Sequence, residues 1–103
     1  MNVLWMQEAE DAMREVALYI FLRFGLQGWT KFEQELCETE HLVSVNPYIG
    51  KIDQLFVERS KTYRSVLINR RSKMVYYVEG DTVVVAGFWD CRRDPVAAAK
   101  SVK

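Results

Sequence analysis

The stretch Lys73-Met74-Val75-Tyr76-Tyr77-Val78-Glu79-Gly80-Asp81-Thr82-Val83-Val84-Val85-Ala86-Gly87-Phe88-Trp89-Asp90-Cys91 decides the fold. Its two runs are rich in β-branched and aromatic residues, which favour the pleated, half-buried surface of a strand. Gly80-Asp81 between them is a two-residue loop of the kind that closes a tight hairpin. The reading is therefore a strand over 73–79 and a longer one over 82–91. Pairing Glu79 with Thr82 sets Val78 against Val83, Tyr77 against Val84, Tyr76 against Val85 and Lys73 against Phe88. Alternation then sorts the side chains onto two faces. Met74, Tyr76, Val78, Val83, Val85 and Trp89 form an apolar face suited to packing on helices. Lys73, Val75, Tyr77, Glu79, Thr82, Val84, Ala86, Phe88 and Asp90 form a mixed face, expected to stay open to a ligand.

Upstream, residues 64–69 read as another strand, and residues 54–58 are ambiguous. Asn46-Pro47 breaks a helix, and Gly50 marks a turn or loop. Before that break, Met13, Val16, Ala17, Ile20 and Phe24 recur at three- and four-residue spacing, the signature of one apolar helical face. Gly25 suits the end of that helix, because glycine accepts the left-handed conformation that follows a last turn. A second helix is expected from Gln27 or Thr30 to His41, with Trp29, Phe32, Leu36 and Cys37 on one side. Two helices joined by a few residues should lie antiparallel. Asn2 to Trp5 suits a short first strand, and Ala97-Ala98-Ala99 a helical turn or a frayed end. The expected fold class is α+β: an N-terminal α-hairpin packed on a small antiparallel β-sheet, in one domain over residues 1–103.

Half of the 103 residues are apolar and 27% are charged, which places the chain among globular proteins rather than disordered ones. No apolar run approaches the roughly 20 residues of a bilayer span; the longest, Val16 to Leu22, runs into Arg23. The acidic start, with Glu8, Glu10, Asp11 and Glu15, does not suit a secretory signal, so the expected location is cytoplasmic and no membrane partner is expected. Cys37 and Cys91 are too few and too far apart for a metal site or a disulfide framework, and are read as packing residues. His41 at a helix end reads as a capping or surface group. With no glycine-rich phosphate loop, nucleophile elbow or ligand cluster, no metal and no cofactor are expected.

The zero net charge conceals a segregation. Residues 1–58 carry 4 Lys and Arg against 10 Asp and Glu, whereas residues 59–103 carry 10 against 4. The basic set Arg59, Lys61, Arg64, Arg70, Arg71, Lys73, Arg92 and Arg93 is interleaved with Tyr63, Tyr76, Tyr77, Phe88 and Trp89. Cationic side chains stabilise phosphate charge, and aromatic rings stack on unpaired bases. The combination suits single-stranded RNA or an acidic partner peptide equally, and solvated strand-edge cations are the blander alternative.

Taken in order, the Phe24-Gly25 helix ending, the Asn-Pro-x-x-Gly turn at 46–50, Tyr63 to Leu67, Lys73 to Val78, the Gly-Asp hairpin and Phe88-Trp89-Asp90-x-Arg92-Arg93-Asp94-Pro95 resemble the RelE/ParE superfamily of toxins from type II toxin–antitoxin modules. The resemblance covers nearly the whole chain. It implies a growth-inhibiting protein neutralised by a cognate antitoxin, as a homodimer or a toxin–antitoxin hetero-oligomer. Because the sheet keeps its basic residues, the expected target is ribosome-bound mRNA, cleaved as RelE-like members do; the alternatives are DNA gyrase, inhibited without cleavage as ParE-like members do, or an interaction protein that has lost toxicity and keeps only its antitoxin complex. For cleavage, the resemblance carries Arg64, Lys73, Arg92 and Arg93 over as the catalytic set. Arg59, Lys61, Arg70, Arg71, Tyr77 and Phe88 would then line the target-binding surface. Two departures stand out: Val66 occupies a position where the nucleases carry a strand lysine, and no tyrosine or histidine follows Asp94-Pro95 to transfer a proton.

Overall fold

A computed structural model describes residues 1–103. The elements run β1 (Asn2–Trp5), α1 (Gln7–Val45), β2 (Lys51–Ile52), a 3₁₀ turn (Gln54–Phe56), β3 (Arg64–Ile68), β4 (Ser72–Glu79), β5 (Thr82–Asp90) and α2 (Pro95–Lys100). The class is α+β. The five strands form one sheet in the order β1-β5-β4-β3-β2. It is mixed rather than antiparallel, because β1 runs parallel to β5 while the other pairings are antiparallel.

One helical element takes the place of the expected two helices and their connector. α1 is continuous apart from Gly25, whose φ of 75° and ψ of −167° lie outside helical space and in a region that essentially only glycine enters. A straight helix of 39 residues would be about 58 Å long, yet the molecule is 39 Å in its longest dimension. The two limbs on either side of Gly25 therefore fold back on each other. The amino terminus accordingly donates to the Ser44 carbonyl at 3.0 Å. Gly28 permits the close return, since a Cβ there would lie 2.6 Å from Phe24 Cβ. Ala9 and Ala17 from the first limb and Phe32, Leu36 and Val43 from the second share one core with Ile68, Met74, Tyr76, Val83, Val85 and Phe88 of the sheet.

The hairpin register agrees with the sequence reading from Glu79–Thr82 back to Tyr76–Val85, then slips. Val75 pairs with Gly87 and Lys73 with Trp89, so Ala86 is an extra residue on β5. That β-bulge reverses the facing of the β5 residues beyond it, while Met74 and Val75 on β4 keep their expected faces. Phe88, expected on the open face, instead lies in the helix-side core at 2% exposure, against Trp5 and Phe32. Trp89 takes the opposite face.

The opposite face is not open either. Val75, Ala86 and Trp89 are covered by Phe56 of the 3₁₀ turn, by Tyr63 and by Ala98, Ala99 and Val102 of the C-terminal segment, forming a second core. Asp94 starts α2 by accepting from the Val96 N–H at 3.1 Å, and Pro95 follows at a position where its missing donor is no loss. The tail is thus a packed helix rather than a frayed end. Both cysteines, expected in the core, are exposed thiols. Cys37 is rotated away from buried Leu36 by one helical step, and Cys91 lies in the turn beyond β5. No helix is long and apolar enough to cross a membrane.

Candidate functional site

The basic residues proposed from sequence are distributed over separate parts of the molecule. Lys73 reaches into the second core: its Nζ lies 2.6 Å from Asp53 Oδ2 and 5.3 Å from the Trp89 ring centre. The approach is ionic and off the line of a hydrogen bond, so Oδ2 has no aligned donor while Oδ1 accepts from the Leu55 N–H. Arg64 donates to the Gly50 carbonyl at 2.9 Å and stacks over Tyr48. Beside it, the Tyr76 hydroxyl donates to the Pro47 carbonyl and accepts from the Gly50 N–H, locking the 46–50 turn to the sheet. Burial raises the Tyr76 pKa. Arg59 donates to the Val102 and Ala99 carbonyls and lies over the Phe56 and Tyr63 rings. Lys61 pairs with Glu79 over the Tyr77 ring, beside the β4–β5 turn. Tyr77 itself is half-buried edge-on to Tyr63.

A different grouping forms where α1 bends. The β3–β4 turn, with Asn69 and Arg70 both at positive φ, exposes Arg70 and Arg71 at this end. The Cys91 N–H donates to the Arg71 carbonyl at 2.8 Å, which brings the Arg92-Arg93 turn alongside. Arg92 forms a forked pair with Asp90 at 3.2 and 3.0 Å, and its guanidinium lies 5.2 Å from the Tyr19 ring centre. Hydrogen bonding from Arg92 lowers the pKa of both Asp90 and Tyr19, and Asp90 raises that of Arg92. Arg23 adds to the positive field at Tyr19. No carboxylate lies within ion-pairing distance of Arg70, Arg71 or Arg93.

Between the bend and this turn runs a groove of about 1010 Å³. Ile20, Phe24, Leu26, Phe32 and Ile68 supply its apolar lining, while Lys31, Arg71 and Glu35 carry charge along it. Its chemistry is that of a binding surface: cations beside exposed apolar side chains, with no paired acid and base. Of the predicted residues, Arg71 lines this groove with Arg70 next to it in the turn, and Arg92 and Arg93 line a neighbouring cleft with Tyr19 and Glu15, whereas Arg59, Lys61, Arg64, Lys73 and Tyr77 lie elsewhere and Phe88 is inside the core. Tyr19, Arg23 and Lys31 join the group although the sequence reading passed over them. The fold-back at Gly25 brings Lys31 of the second limb into the same groove as Ile20 and Phe24 of the first, beside Arg71, while Tyr19 meets Arg92 beyond β5.

Groups of His, Cys, Asp and Glu able to hold a metal ion are absent. Comparison with protein-family models and with curated proteins returns no match to this chain.

Proposed function

We propose that the chain is the growth-inhibiting component of a toxin–antitoxin pair, acting in the cytoplasm by occupying its target rather than by cutting RNA. The observation that carries the second half of this reading is the position of Lys73. It is tied to Asp53 before the 3₁₀ turn, with Arg64 and Arg92 engaged at other places. In-line attack of a ribose hydroxyl needs cations converging on one phosphate and a group to move the proton. Neither is assembled, which favours the non-nucleolytic, ParE-like alternative with DNA gyrase as target over RelE-like cleavage on the ribosome. Support for the toxin reading itself is the ordered set of motifs described above. An N-terminal helical element broken at Gly25 and a sheet built on the Gly80-Asp81 hairpin accord with it.

The cationic end is the part of the molecule suited to an anionic or acidic macromolecule. Inducing the chain alone should arrest growth, and co-expression of its antitoxin should restore it. Purified protein should inhibit gyrase supercoiling and leave ribosome-bound messages uncut. Normal growth after induction of folded protein contradicts the toxin reading, and cuts within codons contradict the non-nucleolytic one.

A further inference from the structure

We propose that Gly25 is the hinge of an exchange between two copies of this chain. In the exchanged dimer, residues 1–24 of each copy pack on the second limb and sheet of the other. This goes beyond the toxin reading and does not depend on it.

Three observations carry it. The reversal of α1 occupies one residue, with helix on both sides and no loop. A Cβ placed on Gly25 would meet nothing within 4 Å, so the reversal rests on glycine's backbone freedom at this residue and not on contacts made by the residue itself. If that residue alone enters helical space, α1 becomes a rod of about 58 Å, too long to close on its own sheet. The first limb must then find a second copy. Short connections that cannot relax are the known setting for such exchange.

Every contact of residues 1–24 recurs between chains after the exchange, including the parallel β1–β5 register and the seating of Ala9 and Ala17 in the core. The balance between the two forms therefore rests on the bend and on whatever surface the bend leaves exposed. That surface is apolar. Leu18, Phe21, Leu22, Phe24, Leu26 and Trp29 surround the hinge, with Leu22 at 73% and Leu26 at 66% exposure. At side-chain-sized areas these six present roughly 650 Å², about the upper end of the largest patch on a typical monomer. Each partner in a standard interface contributes about 800 Å². Two rods crossing at Gly25 bring the same residues of both copies together, as a two-fold interface requires.

The test places a disulfide across β1 and β5, as Asn2→Cys with Thr82→Cys in a Cys37→Ser, Cys91→Ser background. Asn2 and Thr82 are direct register partners, so the bond forms within a chain in the monomer and between chains in the exchanged dimer. At high protein concentration, light scattering should report a dimer, and the oxidised chains should run as linked pairs on a non-reducing gel. Gly25→Ala disfavours the bend without a steric clash and should tighten the dimer by about tenfold or more. Inserting several Gly and Ser residues after Gly25 should restore the monomer. A monomer at all concentrations in folded wild type and Gly25→Ala overturns the proposal. So does a dimer whose engineered disulfide stays within one chain. If Gly25→Ala fails to fold, the wild-type crosslink and the lengthened hinge decide alone: a dimer that survives the insertion overturns the exchange. Binding of an acidic protein segment at the hinge with no dimer formed also overturns it.

Discussion

Lys73 and Asp53 form an ion pair at 2.6 Å between the middle of the sheet and the turn that covers it, with the carboxylate side chain 4% exposed and the ammonium side chain 19% exposed. Asp53 also caps the 3₁₀ turn through the Leu55 N–H. The pair therefore couples β4 to the segment that closes the second core. A buried ion pair is costly to break from one side, because the remaining charge stays without a partner. Lys73→Ala should destabilise the fold by about 3 kcal/mol. Lys73→Met combined with Asp53→Asn should recover most of that loss, as followed by urea unfolding. Equal losses in the single and double variants would show that the pair is not the source.

Arg59 straps the C-terminal segment by donating to the Val102 carbonyl and, at 2.9 Å, to the Ala99 carbonyl. Its stem and guanidinium also cover Phe56 and Tyr63. Arg59→Ala should cost about 2 kcal/mol through the lost charge-assisted bonds and packing. Because α2 covers Trp89, the same change should increase the solvent accessibility of that indole and speed proteolysis near the C-terminus. Unchanged quenching and cleavage would mean that α2 is held by its apolar residues alone.

Asp90 provides a pH dependence with a definite sign. Hydrogen bonding from the Arg92 side chain, opposed by burial, holds its carboxyl below the usual aspartate value. The folded state therefore binds this proton less readily than the unfolded chain. The contribution is fully present above about pH 4, the ordinary aspartate value, and is lost as pH falls through the lower folded-state value. The pair is largely exposed, so the effect is small. Arg92→Ala should lower the urea midpoint slightly at neutral pH and leave it unchanged in strong acid. An equal difference at both pH values would assign the effect to packing of Arg92 on Tyr19.

Much of the sheet was legible because its signals are local. Alternating β-branched residues and Gly80-Asp81 define β4, β5 and their turn within a few positions. The bulge was not legible: Ala86 and Gly87 carry too little side chain to announce which face they occupy, and the slip they introduce exchanges Phe88 with Trp89. The parallel seat of β1 beside β5 depends on a contact across most of the chain, and four residues do not specify it. Gly25 reads from sequence as the end of a helix followed by a connector, whereas α1 runs on through it with this one residue outside helical space, and nothing local marks that a single residue makes the whole reversal. The same limit applies to function. The charge bias of residues 59–103 was visible, but the ties of Lys73 to Asp53, Arg64 to Gly50 and Arg59 to Val102 are long-range. They dispersed a set of cations that looked like one site. Arg70 and Arg71 in one turn and Arg92 and Arg93 in the next stay at the same end of the molecule, joined by the Cys91 N–H to Arg71 carbonyl bond, but they line two clefts.

The most direct test of the central claim compares growth after induction of two variants. One removes the buried pair while keeping its volume, as Lys73→Met with Asp53→Asn. The other reverses charge at the bend end, as Arg71→Glu with Arg93→Glu, with soluble yield and circular dichroism matched to wild type. Toxicity that resides in the cationic end predicts that the first variant still arrests growth and the second does not. Arrest lost in the first and retained in the second would contradict the account and return Lys73 to the centre of the chemistry.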